Sequence, residues 1–266
     1  MGRPILNFSV EGTGPNVVLI HGVGADLSSW DGFVAAYGPG ARLIRMDLRG
    51  HGRSSLIREP YSVEKFSEDI IALMDQLGIA RAHVVGFSLG GMIAQCLALA
   101  WPDRVDRLAI LSAVAGRTDE ERAKVVGRLD AIRAGGIQAV TGAARDRWFT
   151  DAFATAHPER IAARIKELVA NDLESYLEAY RVFGQSEFGP RLHGITHRTL
   201  VLTGEHDVGS NTRMARYMHE QIANSDLVIL PELKHSILVE APAIVAAEVR
   251  RFLTAPSQPP RKGPQA

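Results

Sequence analysis

Residues 83–100 read HVVGFSLGGMIAQCLALA. An apolar, β-branched run from His83 to Phe87 passes through Gly86-Phe87-Ser88-Leu89-Gly90 straight into a helical pattern. A buried strand can enter a helix in so few residues only through a sharp turn, with Ser88 at its tip. Glycines on both sides remove the Cβ atoms that would strike the neighbouring strand and helix. Ser88 is therefore expected in a strained conformation, presented to a substrate at a helix N-terminus whose free N–H groups favour a developing oxyanion. The Leu89 N–H is one candidate donor. The competing reading is a glycine-rich turn that merely packs, and the strand before it and the helix after it weigh against that.

Working outward, Ile5 to Val10, Val17 to Ile20, Leu43 to Met46, His83 to Phe87, Leu108 to Leu111, Thr199 to Thr203 and Leu227 to Leu230 read as strands, and their near-continuous apolar character predicts burial on both faces. Between them, Val63 to Leu77 carries Phe66, Ile70, Leu73 and Leu77 on one stripe, with Ser62 placed to cap its start and Gly78 to end it. Alternation of this kind specifies an α/β chain with a mostly parallel twisted sheet flanked by helices, whose functional groups gather at the carboxyl ends of the strands. The alternation stops near Ser112. We read residues 1–114 and 196–254 as the core domain, 115–195 as an inserted helical cap, and the polar, proline-rich APSQPPRKGPQA of 255–266 as a disordered tail.

Of 266 residues, 46% are apolar and 23% charged, and 30 basic side chains balance 30 acidic ones. That is a globular composition without the net charge of a nucleic-acid or anionic-membrane binder. The start, Met-Gly-Arg-Pro, has no apolar signal-peptide core, and no apolar run reaches the length of a membrane span. The expectation is a cytoplasmic protein with a small-molecule substrate and neither nucleic acid nor membrane as partner. The single cysteine, Cys96, falls in a helical pattern and reads as a small core residue.

A serine hydroxyl needs an imidazole to take its proton and a carboxylate to orient that imidazole. The strand ending TLVLTGE leads into Gly204-Glu205-His206-Asp207, and the next, LVILPE, into Leu233-Lys234-His235. Both follow strand ends, in the chain order Ser, Asp, His. The expected triad is Ser88, Asp207 and His235. Among the other histidines, His51 ties a loop, His83 begins a strand at the wrong end, His157, His193 and His197 belong to the cap or its return, and His219 lies in a helix. His206 is the rival base, but it adjoins the proposed acid and would leave that acid unpartnered. Glu205 is the rival acid. Asp47, in the turn MDLRGHGRS, is expected to pair with an arginine instead. The second oxyanion donor is expected from His21-Gly22-Val23-Gly24, as the Val23 N–H, with His21 structural.

Taken together, HGVG, RMDLRGHGRS, GFSLGG, GEHD and the late KH resemble α/β-hydrolases across roughly residues 5 to 253. Within that superfamily the chain is most similar to 3-oxoadipate enol-lactonases and their esterase relatives, a similarity that includes Arg147-Trp148-Phe149-Thr150, His157-Pro158 and Tyr176. The resemblance implies that Trp148 lines the substrate pocket. It departs from the family in YLEAYRVFGQSEFGPRL, which lacks a small-residue pattern associated with enol-lactonases, and in DVGSN, which lacks their usual proline.

The expected activity is hydrolysis of a small carboxylic ester or lactone through an acyl-enzyme, with no metal or organic cofactor. If the substrate carries a carboxylate, Arg133, Arg145, Arg147, Arg181 and Arg191 are available to meet it. Cleavage of a carbon–carbon bond in a diketone, and a ligand receptor that retains the triad, are the alternatives.

Overall fold

The computed structural model describes residues 4–256. Seven strands form one sheet: β1 (Phe8–Glu11), β2 (Asn16–Ile20), β3 (Arg42–Met46), β4 (Ala82–Phe87), β5 (Val105–Leu111), β6 (Arg198–Gly204) and β7 (Ser225–Leu230). Their order is β1-β3-β2-β4-β5-β6-β7, with β1 antiparallel to β3 and every other pairing parallel. β4 is thus the central strand. The expected strand at Ile5 begins later, at Phe8, because Ile5 and Asn7 spend their backbone groups on the loop after β3: Ser55 N donates to Ile5 O and Asp47 N to Asn7 O. The remaining tail, 257–266, lies outside the described residues.

Side chains of the central strands alternate between two cores. Val18, Ile20, Val84, Ile110 and Val201 enter one, and Val17, Leu19, Val85, Ala109, Leu111, Leu200 and Leu202 the other. Helices α2 (Val63–Gln76) and α3 (Leu89–Ala100) cover the first face, whereas α1 (Asp31–Tyr37) pairs with the final helix on the second. Ser62 caps α2 by accepting from Lys65 N, and Gly78 follows its end with φ +68°.

Between β5 and β6 stand five helices: α4 (Asp119–Gly135), α5 (Thr141–Trp148), α6 (Asp151–Ala156), α7 (Pro158–Val169) and α8 (Leu173–Gln185). Helices α4, α7 and α8 and the short turn at 137–140 share a small apolar cluster of Ile132, Ile137, Val140, Leu168 and Tyr176. After β6 come α9 (Thr212–Gln221), β7, α10 (Ile237–Glu240) and α11 (Pro242–Thr254). Among the described residues no helix is long and apolar enough to cross a membrane.

Asp47 knots the loops at the carboxyl ends of β2 and β3. One carboxylate oxygen accepts from Leu27 N at 2.8 Å, the other from Asn7 Nδ2 and Arg53 N, each at 2.8 Å. The arginine that meets it contributes its main chain and not its guanidinium, which corrects the side-chain pairing expected above. Asp47→Ala would orphan three donors and should cost about 3 kcal/mol or more. For a chain of this size thermal unfolding should show a fall of roughly 6–12 °C in Tm, and an unchanged Tm would deny Asp47 this role.

Candidate active site

At the turn between β4 and α3, Ser88 has φ 55° and ψ −115°, a conformation that non-glycine residues rarely adopt. Its N–H donates to Leu111 O at 2.9 Å, which locks the turn to β5. A Cβ on Gly86 would overlap Gly90 O, and one on Gly90 would overlap Ile20 O. Gly22 also faces the turn, and a Cβ there would stand 3.0 Å from the Ser88 Cβ. Leu89 is buried in the core and opens α3, so its N–H is one of those a helix start leaves without an intrahelical acceptor.

His235 Nδ1–H donates to Asp207 Oδ2 at 2.6 Å. The other Asp207 oxygen accepts from Gly209 N and Ser210 N, both at 2.9 Å. Burial alone would raise this carboxyl, but the charge and hydrogen bond of His235, joined by those two backbone donors, hold it below the usual carboxylate range. With Nδ1 donating to that carboxylate, Nε2 is the ring nitrogen left free to exchange a proton. The His235 ring lies 5.1 Å from that of Phe87, the neighbour of Ser88. The rival acid Glu205 instead accepts from Glu232 N at 3.1 Å, and the rival base His206 stands 3.8 Å from Glu232, all three in one exposed group.

The turn after β2 is organised by His21. Its Nε2 accepts from Leu48 N at 2.9 Å, so its Nδ1 carries the proton and donates to Gly22 O at 2.7 Å. Ala25 N donates to the same oxygen at 3.3 Å. Because a trans peptide points its C=O and N–H in opposite directions, two donors holding Gly22 O fix the direction of the Val23 N–H. Burial pushes His21 down to about 4, against the opposing pull of its bond to Gly22, so the ring is neutral and structural.

Ser88, Asp207 and His235 line one cavity of about 100 Å³ together with Gly22, Val23 and Trp148. Among the described residues on its wall, His235 is the only histidine and Asp207 the only carboxylate. The same wall carries three arginines, Arg128, Arg147 and Arg164. Arg128 Nε donates to the Tyr180 hydroxyl at 2.7 Å, and Arg164 lies over the Trp148 ring at 5.3 Å. Burial and the neighbouring Arg128 both lower the pKa of Arg147, whose guanidinium meets no hydrogen-bond or ion-pair partner among the described residues. Of the five arginines expected to be available, only Arg147 reaches the cavity. Arg133 pairs with Asp130, Arg181 with Glu178 and Tyr61 O, Arg191 covers Phe188, and Arg145 is exposed.

The sequence matches the α/β hydrolase fold family over residues 15–242, and the chain belongs to that family. It is 30% identical to 3-oxoadipate enol-lactonase 2 of Acinetobacter baylyi, over 93% of this chain and 94% of the other. It is 28% identical to (E)-2-((N-methylformamido)methylene)succinate hydrolase of the same organism, covering 93% of each. Among solved structures, the enol-lactonase of Burkholderia xenovorans LB400 superposes with a TM-score of 0.88 at 31% identity, over 94% of this chain and 96% of that one.

A second buried imidazole, His51, lies with its ring 5.2 Å from that of His21 and is pushed down to about 3 by burial and by His21. Its Nδ1–H donates to Arg49 O at 3.0 Å. Both rings bind protons more readily once unfolded, near 6.5, than when folded. Their contribution to stability is therefore complete above pH 6.5 and drains away as pH falls towards 4 and then 3. Tm should hold above pH 6.5 and decline steadily below it. His51→Gln, which can still donate to Arg49 O but does not titrate, should flatten that acid limb; an equally steep limb in the variant would refute this origin.

Proposed function

We propose that this chain is a serine hydrolase that cleaves a small ester or lactone bearing a carboxylate. The observation that carries the reading is the 2.6 Å His235–Asp207 bond, on the wall of the same cavity as a serine held at φ 55°. In this reading Ser88 Oγ attacks the carbonyl carbon while His235 Nε2 takes its proton, and the Val23 and Leu89 N–H groups receive the tetrahedral oxygen. His235 returns the proton to the leaving oxygen, then draws one from water to release the acid from Ser88. In a lactone the leaving oxygen stays tethered to the acyl chain, so one ring opens into one hydroxy or keto acid.

The carboxylate requirement rests on charge. Three guanidiniums against a single carboxylate already engaged with His235 leave the cavity electropositive. Among the described residues Arg147 is the one of the three without a protein partner, and a substrate carboxylate would supply the bidentate acceptor that this half-buried guanidinium lacks. The two Acinetobacter relatives, named for an oxoadipate enol-lactone and for a substituted succinate, are in keeping with such a substrate.

Ser88→Ala should abolish turnover of p-nitrophenyl acetate and of a lactone panel without changing the circular dichroism spectrum; surviving turnover would remove Ser88 from the chemistry. Asp207→Asn should lower kcat by about 10⁴, since it releases the wrong imidazole tautomer. Arg147→Met should raise KM about tenfold or more for a lactone acid and leave KM for its methyl ester nearly unchanged, because the lost contact is a charge-assisted one. Equal effects on acid and ester would end the carboxylate assignment. Running the panel with a vinylogous diketone alongside separates ester from carbon–carbon cleavage.

A further inference from the structure

The Val23 N–H is aimed from the core side by His21, yet the far side of the same turn is held by a helix of the inserted segment. Gly24 O accepts from Arg164 Nη1 at 2.9 Å and from Asn171 Nδ2 at 3.3 Å. Asn171 also donates to Glu167 O and Leu168 O at 3.0 Å each, so it ties the end of α7 to the turn. Arg164 and Leu168 are one turn apart on α7, and Asn171 follows just past the end of that helix, so all three meet Gly24. Gly24 itself has φ +64°, and a Cβ there would lie 2.6 Å from both Leu168 Cδ1 and the Tyr176 ring. The Val23 side chain completes the contact by packing into the Ile132, Leu168 and Tyr176 cluster.

Arg164 is badly placed to be a surface charge. Burial depresses its pKa, its nearest carboxylate, Glu167, stands 3.8 Å away and is half-exposed, and its flat face is taken up by Trp148. What it holds at hydrogen-bond distance is a main-chain carbonyl one residue beyond the Val23 N–H.

We propose that Arg164 and Asn171 are positioning residues: they clamp Gly24 O and so make the oxyanion donor Val23 N–H depend on the seating of α7. This rests on the serine-hydrolase reading. The donor is then aligned only when the helical segment sits on the core, with Gly22 O fixed from one side and Gly24 O from the other. Neither residue needs to touch the substrate.

p-Nitrophenyl acetate tests this without interference, because it carries no carboxylate for an arginine to bind. Arg164→Met keeps an unbranched stem over Trp148 and removes the donor. It should lower kcat by about tenfold to a hundredfold with KM changed less than about threefold, and weaken a trifluoromethyl ketone, whose serine adduct bears an oxyanion, by the same factor as kcat. Asn171→Leu should lower kcat and ketone affinity together, by less. Arg164→Lys, which can still donate to Gly24 O, should restore most of the loss. If Arg164→Met fails to fold, Asn171→Leu and Arg164→Lys carry the decision. Wild-type kcat and ketone affinity in the folded variants would overturn the clamp, as would an effect seen only in KM for carboxylate-bearing esters, which would make Arg164 a substrate anchor. Failure of the underlying reading is seen separately, as turnover that survives Ser88→Ala.

Discussion

Where β4 passes into α3, two stretches of backbone approach so closely that neither Gly86 nor Gly90 has room for a Cβ. That approach sets Ser88 at the top of the central strand in a conformation its own side chain disfavours, held there by its bond to Leu111 O and by helix α3. Strain of this kind persists only where the surroundings over-determine it. Here they are a sheet buried on both faces and a helix made almost wholly of core residues. The rest of the site is arranged around that point: one turn from β2 brings Gly22 against Ser88, and two loops from β6 and β7 bring Asp207 and His235 together.

The helices between β5 and β6 do more than roof the cavity. They are bonded to both loops that serve it. On the base side Ser236 N donates to Trp148 O, Lys234 Nζ to Asp146 O, and Thr150 is held through its N–H and hydroxyl by Glu240. On the opposite side Arg164 and Asn171 reach Gly24 O. These bonds tie the position of the segment to the loops on both sides of the cavity. It also supplies the guanidinium groups that give the cavity its charge.

Much of this was legible in the residue order. The central strands were signalled by near-continuous apolar runs, because a parallel sheet covered on both faces admits little else there, whereas the edge strands β1 and β7 are largely half-buried. The elbow was legible because its geometry demands glycine at two fixed places; after β6 the sequence offered two carboxylates, Asp207 and Glu205, and it is Asp207 that is bonded to His235. Two of the three cavity arginines were not legible. Arg128 lies between Val125 and Ile132, and Arg164 between Ile161 and Leu168, all four buried, so each charge interrupts the apolar stripe of its own helix. That interruption is the signal they carry; of the arginines expected to be available, Arg147 reaches the cavity, and Arg133, Arg145, Arg181 and Arg191 are paired or exposed.

What the sequence by itself determined is the set of local commitments: strand, helix, glycine at the elbow, and the types of side chain that follow each strand end. These depend on steric and hydrophobic periodicities that act over a few residues. Tertiary structure alone decided which donors converge on Gly22 O and Gly24 O, which cavity guanidinium has no partner among the described residues, and that the Asp47 carboxylate serves two main-chain N–H groups and the Asn7 amide. Hydrogen bonding and charge act through distance in space, and residues 24 and 164 become neighbours only once the helical segment rests on the core.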